Sequence, residues 1–248
     1  MKKRIDQLLV EKELAETRSK AQAFIMAGLV YVGTKRIDKA SVLFDDDAAI
    51  ELKGKDHPYV SRGGVKLAAG LQHFNINPGG WICLDVGAST GGFTDVLLRS
   101  GARKVYAVDV GHNQLAYSLR EHSAVVVMEK TNARTLDRTQ IPDVIDMVVC
   151  DASFISLKTV LPAALGLAKP GAMLIALIKP QFEVGKDRVG KGGIVRDSAL
   201  HEEVCTDIQH WLRDEMKWNV LGVIESPITG AEGNKEFLLC GQNGHFTK

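Results

Sequence analysis

The sequence predicts a doubly wound α/β domain, with helices on both faces of a mostly parallel sheet, preceded by a small α+β module. From residue 81 onward, near-continuous apolar runs alternate with helical stretches, which is typical of parallel strands buried on both faces. Residues 3–30 instead show two amphipathic helical patterns, and short strand-like runs follow them. With 248 residues, 45% of them hydrophobic, the chain can bury one large core and one small one.

The N-terminal module is predicted to contain two helices and a small sheet. Thr17 is a good N-cap for the second helix, and Gly28 suits the position just after its end. The segment LVYVGTKRI (29–37) predicts a strand, a tight turn and a strand, and AAIELK (48–53) predicts another strand. We therefore expect a compact domain over residues 1–54.

The larger domain is predicted over residues 63–248, after a linker at 55–62, because Pro58 and the glycine pair Gly63-Gly64 that follows the linker break the periodicity. Its strands are predicted at WICLD, KVYAVDV, AVVVM, IDMVVCD and MLIALIKP, with two closing strands at VLGVIE and EFLLC. Its helices are predicted near 92–99, 113–120, 156–168 and 197–217. The fold is therefore Rossmann-like, and we expect its last strand to run antiparallel. The glycine-rich segment 185–195 is predicted to be a loop beside the site.

Composition excludes several classes of protein. Lysine and arginine number 31 against 30 acidic residues, so a polyanionic partner must be met by a local basic patch. The four cysteines have no paired spacing, and no apolar run approaches the roughly 20 residues that span a bilayer. The N-terminus lacks a signal-peptide pattern. We expect a cytoplasmic protein without a metal site or a membrane segment.

The turn GASTGG (Gly87–Gly92) follows the first strand of the sheet and allows three interpretations. It fits the G-x-S-x-G nucleophile elbow, but no upstream sheet would donate the usual oxyanion loop. A dinucleotide site would need a glycine where Ser89 stands, and no P-loop lysine follows. The favoured ligand is S-adenosylmethionine, a nucleoside whose sulfonium and methionine tail replace the phosphates.

Small and acidic residues around this turn are predicted to bind that cofactor. Asp85 ends the first strand and can orient the methionine ammonium, and Asp109 ends the second strand, where an acid can accept both ribose hydroxyls. Asn132 follows the third strand and is placed for the adenine edge; alternatively, Asp109 only caps the next helix. The predicted cofactor-binding residues are Asp85, Gly87, Ala88, Ser89, Gly91, Gly92, Phe93, Asp109, Val110, Asn132, Ala133 and Asp151.

Four charged residues are predicted to meet at one sheet edge. Asp151 and Lys179 each follow an apolar strand, Glu236 opens the last strand, and Lys66 lies on the helix after the linker. Burial favours the neutral form of an amine, which can then take a proton from an alcohol, while a carboxylate holds it in place. The alternative is that Lys179 and Asp151 form a structural ion pair; we favour catalysis because the other two opposite charges accompany them.

These residues resemble known families. The Lys-Asp-Lys-Glu set resembles that of the FtsJ-type ribose 2′-O-methyltransferases, and RIDQLLVEKELAETRSKAQAFIMAGLVYVG resembles the S4 RNA-binding domain. With YVSRGGVKL, DVGASTGGFTDVLL, CDASFISL and KPQFEVGK, the chain is similar to the TlyA (haemolysin A) family of ribosomal RNA methyltransferases over essentially its whole length.

The resemblance implies 2′-O-methylation of cytidine in ribosomal RNA, with Lys66, Asp151, Lys179 and Glu236 as the catalytic residues. The chain starts at its first S4 helix and stops soon after its last strand, as in the shorter members, which implies large-subunit RNA as the target. The expected partner is ribosomal RNA or a ribosomal subunit. The candidate RNA contacts are Arg4, Arg18, Lys20, Lys35, Arg36 and Arg62.

Two other functions stay open at this point. The family's older name suggests a membrane-lytic protein, although no spanning segment is predicted. The second alternative is a ribosome-assembly factor that binds RNA without catalysis. The presence of all four charged residues disfavours this function.

Overall fold

The computed structural model describes residues 2–52, 57–230 and 233–244. It divides into two compact units, Met1–Pro58 and Tyr59–Lys248. The predicted linker, 55–62, therefore falls partly on residues 55 and 56, which lie outside the described residues.

The first unit contains two helices and two small sheets. The helices are α1 (Ile5–Glu11) and α2 (Arg18–Met26), and the strands are β1 (Lys2–Arg4), β2 (Val30–Val32), β3 (Lys35–Arg36), β4 (Leu43–Asp45) and β5 (Ile50–Leu52). Antiparallel pairing gives the sheet β3-β2-β5 and the separate pair β1-β4. The predicted cap is confirmed, because Thr17 Oγ1 accepts a hydrogen bond from the Lys20 amide at 3.2 Å. The pair β1-β4 was not predicted.

The second unit is built on one seven-stranded sheet. Its strands are β6 (Ile82–Val86), β7 (Lys104–Val108), β8 (Val125–Met128), β9 (Ile145–Cys150), β10 (Ala168–Ile178), β11 (Trp218–Glu225) and β12 (Phe237–Asn243). Its α-helices are α3 (Gly63–His73), α4 (Gly92–Arg99), α5 (Tyr117–Arg120), α6 (Leu157–Val160), α7 (Pro162–Gly166), α8 (Pro180–Glu183) and α9 (Ser198–His210). The predicted helix 113–120 is thus limited to its last turn, and the predicted helix 156–168 is divided into two.

The strand order is β11-β12-β10-β9-β6-β7-β8, and of these seven strands β12 alone runs opposite to the others. This confirms the mostly parallel sheet with an antiparallel closing strand. Alternate residues of β6 enter different cores: Leu84 and Val86 pack in one, and Cys83 in the other. The sheet is therefore buried on both faces, as the continuous apolar runs predict.

The chain passes from β6 outward through β7 and β8, then crosses to β9 on the other side of β6. The strand order reverses at β6, and ligands of doubly wound sheets bind beyond the carboxyl ends of the strands at such a point. The turn Gly87–Gly92 and the residues that follow β9 both lie there.

Candidate active site

The four predicted charged side chains are brought together in the second unit. Lys66 Nζ lies 2.5 Å from Glu236 Oε2 and 4.0 Å from Asp151 Oδ2, and Lys179 Nζ lies 2.6 Å from Asp151 Oδ1. The residues Lys66, Lys179 and Glu236 are 8%, 7% and 2% exposed. The arrangement is a continuous series in the order Glu236, Lys66, Asp151, Lys179, which we call the charge tetrad.

The sheet topology explains this convergence. Asp151 and Lys179 directly follow the parallel neighbours β9 and β10, so both lie at the carboxyl edge of the sheet. Glu236 directly precedes β12, which pairs antiparallel with β10 through Ile178 and Phe237. The start of β12 is therefore at the same edge, and Lys66 reaches it from the first turn of α3.

The tetrad contains two positive and two negative groups in alternation. Burying a charge is costly unless an opposite charge and hydrogen bonds compensate it, and here each charged group has an opposite neighbour. Removing Lys66 would leave Glu236 without its counter-charge, and removing Asp151 would leave Lys179 without one. The arrangement can hold an amine at a fixed position beside a hydroxyl group.

Two residues of the tetrad's surroundings were not predicted. Ser153 Oγ accepts a hydrogen bond from Lys179 Nζ at 2.8 Å. Phe154 has a left-handed backbone conformation, with φ of 63°, and its side chain is 89% exposed. Its ring centroid lies 5.0 Å from that of Phe182 on α8. The signal in the sequence is the motif CDASFISL, which contains both residues and contributes to the family resemblance.

A cavity of about 470 Å³ opens at the reversal point of the sheet. Seven of the predicted cofactor-binding residues line it: Gly87, Ser89, Asp109, Val110, Asn132, Ala133 and Asp151. Gln114, Thr131, Ser153 and Phe154 also line it. The cavity and the tetrad therefore share Asp151, so a ligand in the cavity lies beside Lys179.

Asp109 is fixed by backbone donors at the cavity wall. Its Oδ2 accepts from the Ser89 amide at 2.8 Å, and its Oδ1 accepts from the Gly111 amide at 2.6 Å. A carboxylate has about four acceptor positions, so two stay available for hydroxyl groups of a ligand. No helix begins within five residues after Asp109 in the described part of this segment, where α5 starts at Tyr117. Asp109 therefore does not cap the next helix.

The other five predicted cofactor-binding residues do not line the cavity. Asp85 is fully buried below the turn, and Ala88 and Phe93 pack in cores. A side chain at Gly91 would overlap Leu119, and one at Gly92 would overlap Ser61 Oγ and approach the Gly64 amide. These residues support the turn by close packing.

Asp85 has an unusual environment. Its Oδ2 accepts a hydrogen bond from Thr94 Oγ1 at 2.6 Å, whereas its Oδ1 has no hydrogen-bond partner among the described residues. Burial is the main cause that raises the pKa of Asp85 to about 7, and the negative charges of Asp151 and Asp109 add to it. Both acids belong to the cavity lining, so the negative charge of the cavity wall helps to keep Asp85 protonated.

The lining fits a sulfonium nucleoside better than a dinucleotide. Among the described residues that line the cavity, two are aspartates and none is lysine, arginine or histidine. A pyrophosphate would find no counter-charge there, whereas a ligand with a sulfonium and an ammonium would find two carboxylates. Gly87 also brings the turn against the opposite loop, because a Cβ there would lie 2.9 Å from Ala152 Cα.

Comparison with known proteins agrees with this site. The family model of the FtsJ-like methyltransferases matches residues 59–243, which include the whole tetrad and the whole cavity lining. The chain belongs to the FtsJ-like methyltransferase family. A second family model, the S4 domain, matches residues 3–49.

Relatives of this FtsJ-like methyltransferase match it along nearly its whole length. The Mycobacterium tuberculosis protein named 16S/23S rRNA (cytidine-2′-O)-methyltransferase TlyA is 45% identical over 95% of this chain and 88% of its own length. Hemolysin A of Brachyspira hyodysenteriae is 44% identical over 95% of this chain and 98% of its own. A solved structure from Streptococcus thermophilus, described as a hemolysin, is 42% identical with a TM-score of 0.77, covering 98% of this chain and 88% of that one.

The predicted RNA contacts of the S4 unit differ in their surroundings. Arg4 and Arg18 both donate to the fully buried Asp6 carboxylate, at 3.0 and 2.9 Å, which holds the pKa of Asp6 well below its usual range. Arg36 Nε donates to Asp38 Oδ1 at 2.8 Å, and Lys20 Nζ lies 5.7 Å from the centre of the Phe24 ring. Lys35 is exposed on β3.

Arg62 lies apart from these residues in sequence and belongs to the methyltransferase unit. It directly precedes α3, which carries Lys66. No group of side chains suited to a metal ion occurs in the described residues. None of the described helices is long and apolar enough to cross a membrane.

Proposed function

We propose that the protein transfers a methyl group from S-adenosylmethionine to the 2′-hydroxyl of a cytidine in ribosomal RNA. The observation that carries the proposal is the contact of Lys179 Nζ with Asp151 Oδ1 at 2.6 Å, at the wall of an acidic cavity. A fixed amine beside a cofactor cavity suits methylation of an alcohol. The name of the M. tuberculosis relative supports cytidine in ribosomal RNA as the acceptor.

The cavity residues would hold the cofactor as follows. Asp109 would accept the ribose hydroxyls, Asn132 and Ala133 would border the adenine, and the turn from Gly87 would lie against the methionine portion. The bound cofactor supplies an activated methyl group on a sulfonium. Positioning is then the main task of the protein, because aligned reactants alone can contribute about 7–11 kcal/mol to lowering a barrier.

The tetrad would then orient and deprotonate the acceptor. Lys179 is placed to hydrogen-bond the ribose 2′-hydroxyl and, once the amine has released its own proton, to accept the proton of that hydroxyl, while Asp151 fixes the amine and balances the charge that returns to it. Glu236 and Lys66 hold Asp151 at the correct edge of the site. The exposed ring of Phe154 beside Ser153 is suited to stack on the target base after it leaves its helix.

The S4 unit supplies RNA binding in this proposal. We infer that residues 1–54 form the RNA-binding domain, that 63–248 form the catalytic domain, and that 55–62 link them. Lys20 and Lys35 would contact phosphates, whereas Arg4, Arg18 and Arg36 would contact RNA with the guanidinium edges that their acidic neighbours leave exposed. Arg62 would add a contact beside α3. The enzyme would act in the cytoplasm on ribosomal subunits.

Transfer of labelled methyl groups tests the proposal. Ribosomal subunits from cells that lack this protein are incubated with it and tritiated S-adenosylmethionine, and the modified nucleotides are mapped by ribose-methylation sequencing. We expect one or a few cytidines to be modified, and the map decides between large-subunit RNA, small-subunit RNA and both.

Two lysine variants sharpen the test. Lys179→Met should abolish transfer while it keeps affinity for the cofactor, and Lys158→Met is the matched control because Lys158 pairs with the exposed Asp207. Full transfer by Lys179→Met, or no cytidine ribose modification by the wild-type protein, contradicts the proposal. Release of dye from liposomes by the pure protein would favour a membrane-lytic function instead.

A further inference from the structure

Glu129 directly follows β8 and belongs neither to the tetrad nor to the cavity lining. Even so, three backbone amides and two basic side chains contact its carboxylate. Its Oε2 accepts from the Asn113 amide at 2.8 Å, and its Oε1 accepts from the Gln114 amide at 2.9 Å and the Leu115 amide at 3.3 Å. Arg120 Nη2 donates to Oε1 at 2.6 Å, and His112 Nδ1 lies 3.4 Å from Oε2. Its side chain is 10% exposed.

These hydrogen bonds hold one loop against the end of β8. The Lys130 amide donates to Gly111 O, and the Thr131 amide donates to Asp109 O, both at 2.9 Å. Asn113, at the tip of the loop, has a left-handed backbone with φ of 57°. Because successive amides of this loop point at one carboxylate, its conformation depends on a group from a different segment.

The loop forms one wall of the cofactor cavity. Val110 and Gln114 line the cavity together with Asp109. The Val110 side chain is 74% exposed, so little packing holds it in place. The side-chain amide of Gln114 packs over Gly111. A Cβ added at Gly111 would lie 2.7 Å from Gln114 Cδ and 3.0 Å from Asp109 Oδ1. The positions of these cavity residues therefore depend on the carboxylate that orders the loop.

We infer that Glu129 is a positioning residue for the nucleoside part of the cofactor, which it helps to bind without touching it. The inference rests on the proposed function, because it takes the cavity to hold S-adenosylmethionine. A carboxylate accepts hydrogen bonds only, and both of its oxygens are used here. An amide of the same shape would turn a donor toward backbone N–H groups or toward Arg120, so the loop would lose its conformation.

Glu129→Gln tests the inference, with Glu121→Gln as the matched control at an exposed position after α5. Calorimetry with S-adenosylmethionine and with S-adenosylhomocysteine measures affinity, and steady-state kinetics on ribosomal subunits separates KM for the cofactor from kcat. We expect affinity for both ligands to fall about 10- to 100-fold, the range expected for lost hydrogen bonds to a charged group. KM should rise in parallel and kcat at saturation should stay within about twofold.

Hydrogen exchange of the ligand-free protein adds a readout independent of activity. Residues 109–117 should exchange faster in Glu129→Gln than in the wild type and in Glu121→Gln. Arg120→Met keeps the carboxylate and its backbone bonds, and should weaken cofactor binding less than Glu129→Gln does; it decides the question if Glu129→Gln does not fold.

The outcomes separate this inference from the function on which it rests. Wild-type affinity in Glu129→Gln, or a loss of kcat with unchanged affinity, overturns the role of Glu129 while the proposed methyl transfer stands. A wild-type protein that binds neither ligand overturns the proposed function and this inference together.

Discussion

The environment of Asp85, which is buried below the turn Gly87–Gly92, can be tested by measuring protein stability alone. Burial raises the pKa of its carboxyl to about 7, and only Oδ2 has a hydrogen-bond donor, Thr94, among the described residues. We predict that the folded protein carries Asp85 protonated at pH 5 and ionised at pH 8. The ionised form lies in an environment that cannot solvate it, so stability must decrease as the pH rises.

The sign and the size follow from proton linkage. An aspartate in the unfolded chain has a pKa of about 3.9. Between that value and about 7 the folded state of Asp85 holds a proton that the unfolded chain has released. The free energy of unfolding therefore falls by about 2.3 kcal/mol between pH 5 and pH 7, and by about 2.6 kcal/mol between pH 5 and pH 8, because the slope declines as the pH passes the folded pKa.

Asp85→Asn should remove this pH dependence, because an amide is neutral throughout the range. At pH 5 the variant should be less stable than the wild type, since the new amide N–H group would lack an acceptor, at a cost of about 1–3 kcal/mol. At pH 8 the difference should shrink or reverse. Thr94→Val removes the hydrogen bond that lowers the pKa, so it should extend the pH dependence to higher pH.

Urea unfolding followed by tryptophan fluorescence provides the measurement. All three tryptophans, Trp81, Trp211 and Trp218, lie in the second unit, so the signal reports on the unit that contains Asp85. Unfolding curves at pH 5, 6, 7 and 8 give the slope for each protein. Equal slopes for the wild type and Asp85→Asn would refute the reasoning.

Three further predictions concern other positions. A methyl group at Gly230 would overlap Glu236 Oε1, so Gly230→Ala should displace that carboxylate from Lys66 and lower kcat about 100-fold at unchanged cofactor affinity; unchanged kcat would contradict this. Phe154→Ala should raise KM for RNA about 5- to 100-fold, as expected for one lost base stack, and leave stability within about 0.5 kcal/mol; an unchanged KM refutes the stacking role. Asp6→Asn should destabilise the first unit by about 2 kcal/mol at pH 7, because it removes a buried carboxylate whose hydrogen bonds stabilise the fold. Since folding lowers the pKa of Asp6, this stabilisation is present above the pKa of the unfolded chain and is lost as the carboxylate is protonated in acid. Unchanged hydrogen exchange in α1 and α2 would contradict the prediction.

The large domain was predictable because each of its parallel strands has a clear local signal in the sequence. Each parallel strand is an uninterrupted apolar run, and each of Asp151 and Lys179 is a charge that ends such a run. Parallel topology then places strand ends at one edge, so the tetrad could be inferred without coordinates. Glu236 joined it through the antiparallel direction of β12.

The errors arose where distant residues override a local pattern. The predicted helix 113–120 keeps only the turn Tyr117–Arg120, because the amides of residues 113–115 donate to Glu129 rather than to helix carbonyls. The short pair of β1 and β4 has no periodicity of its own, since each strand has three residues. Ser153 was missed for the same reason, because its partnership with Lys179 depends on how two loops meet.

The distances in the tetrad also indicate different roles for its two lysines. Lys66 is held by Glu236 at 2.5 Å and stands 4.0 Å from Asp151, so it mainly balances charge. Lys179 shares its hydrogens between Asp151 and the neutral hydroxyl of Ser153, which is part of the cavity lining. A neutral acceptor is exchanged for a ribose hydroxyl at less cost than a buried carboxylate is. Lys179 can therefore exchange Ser153 for another hydroxyl while it keeps its contact with Asp151, and for this reason the proposed mechanism places the ribose hydroxyl at Lys179 rather than at Lys66.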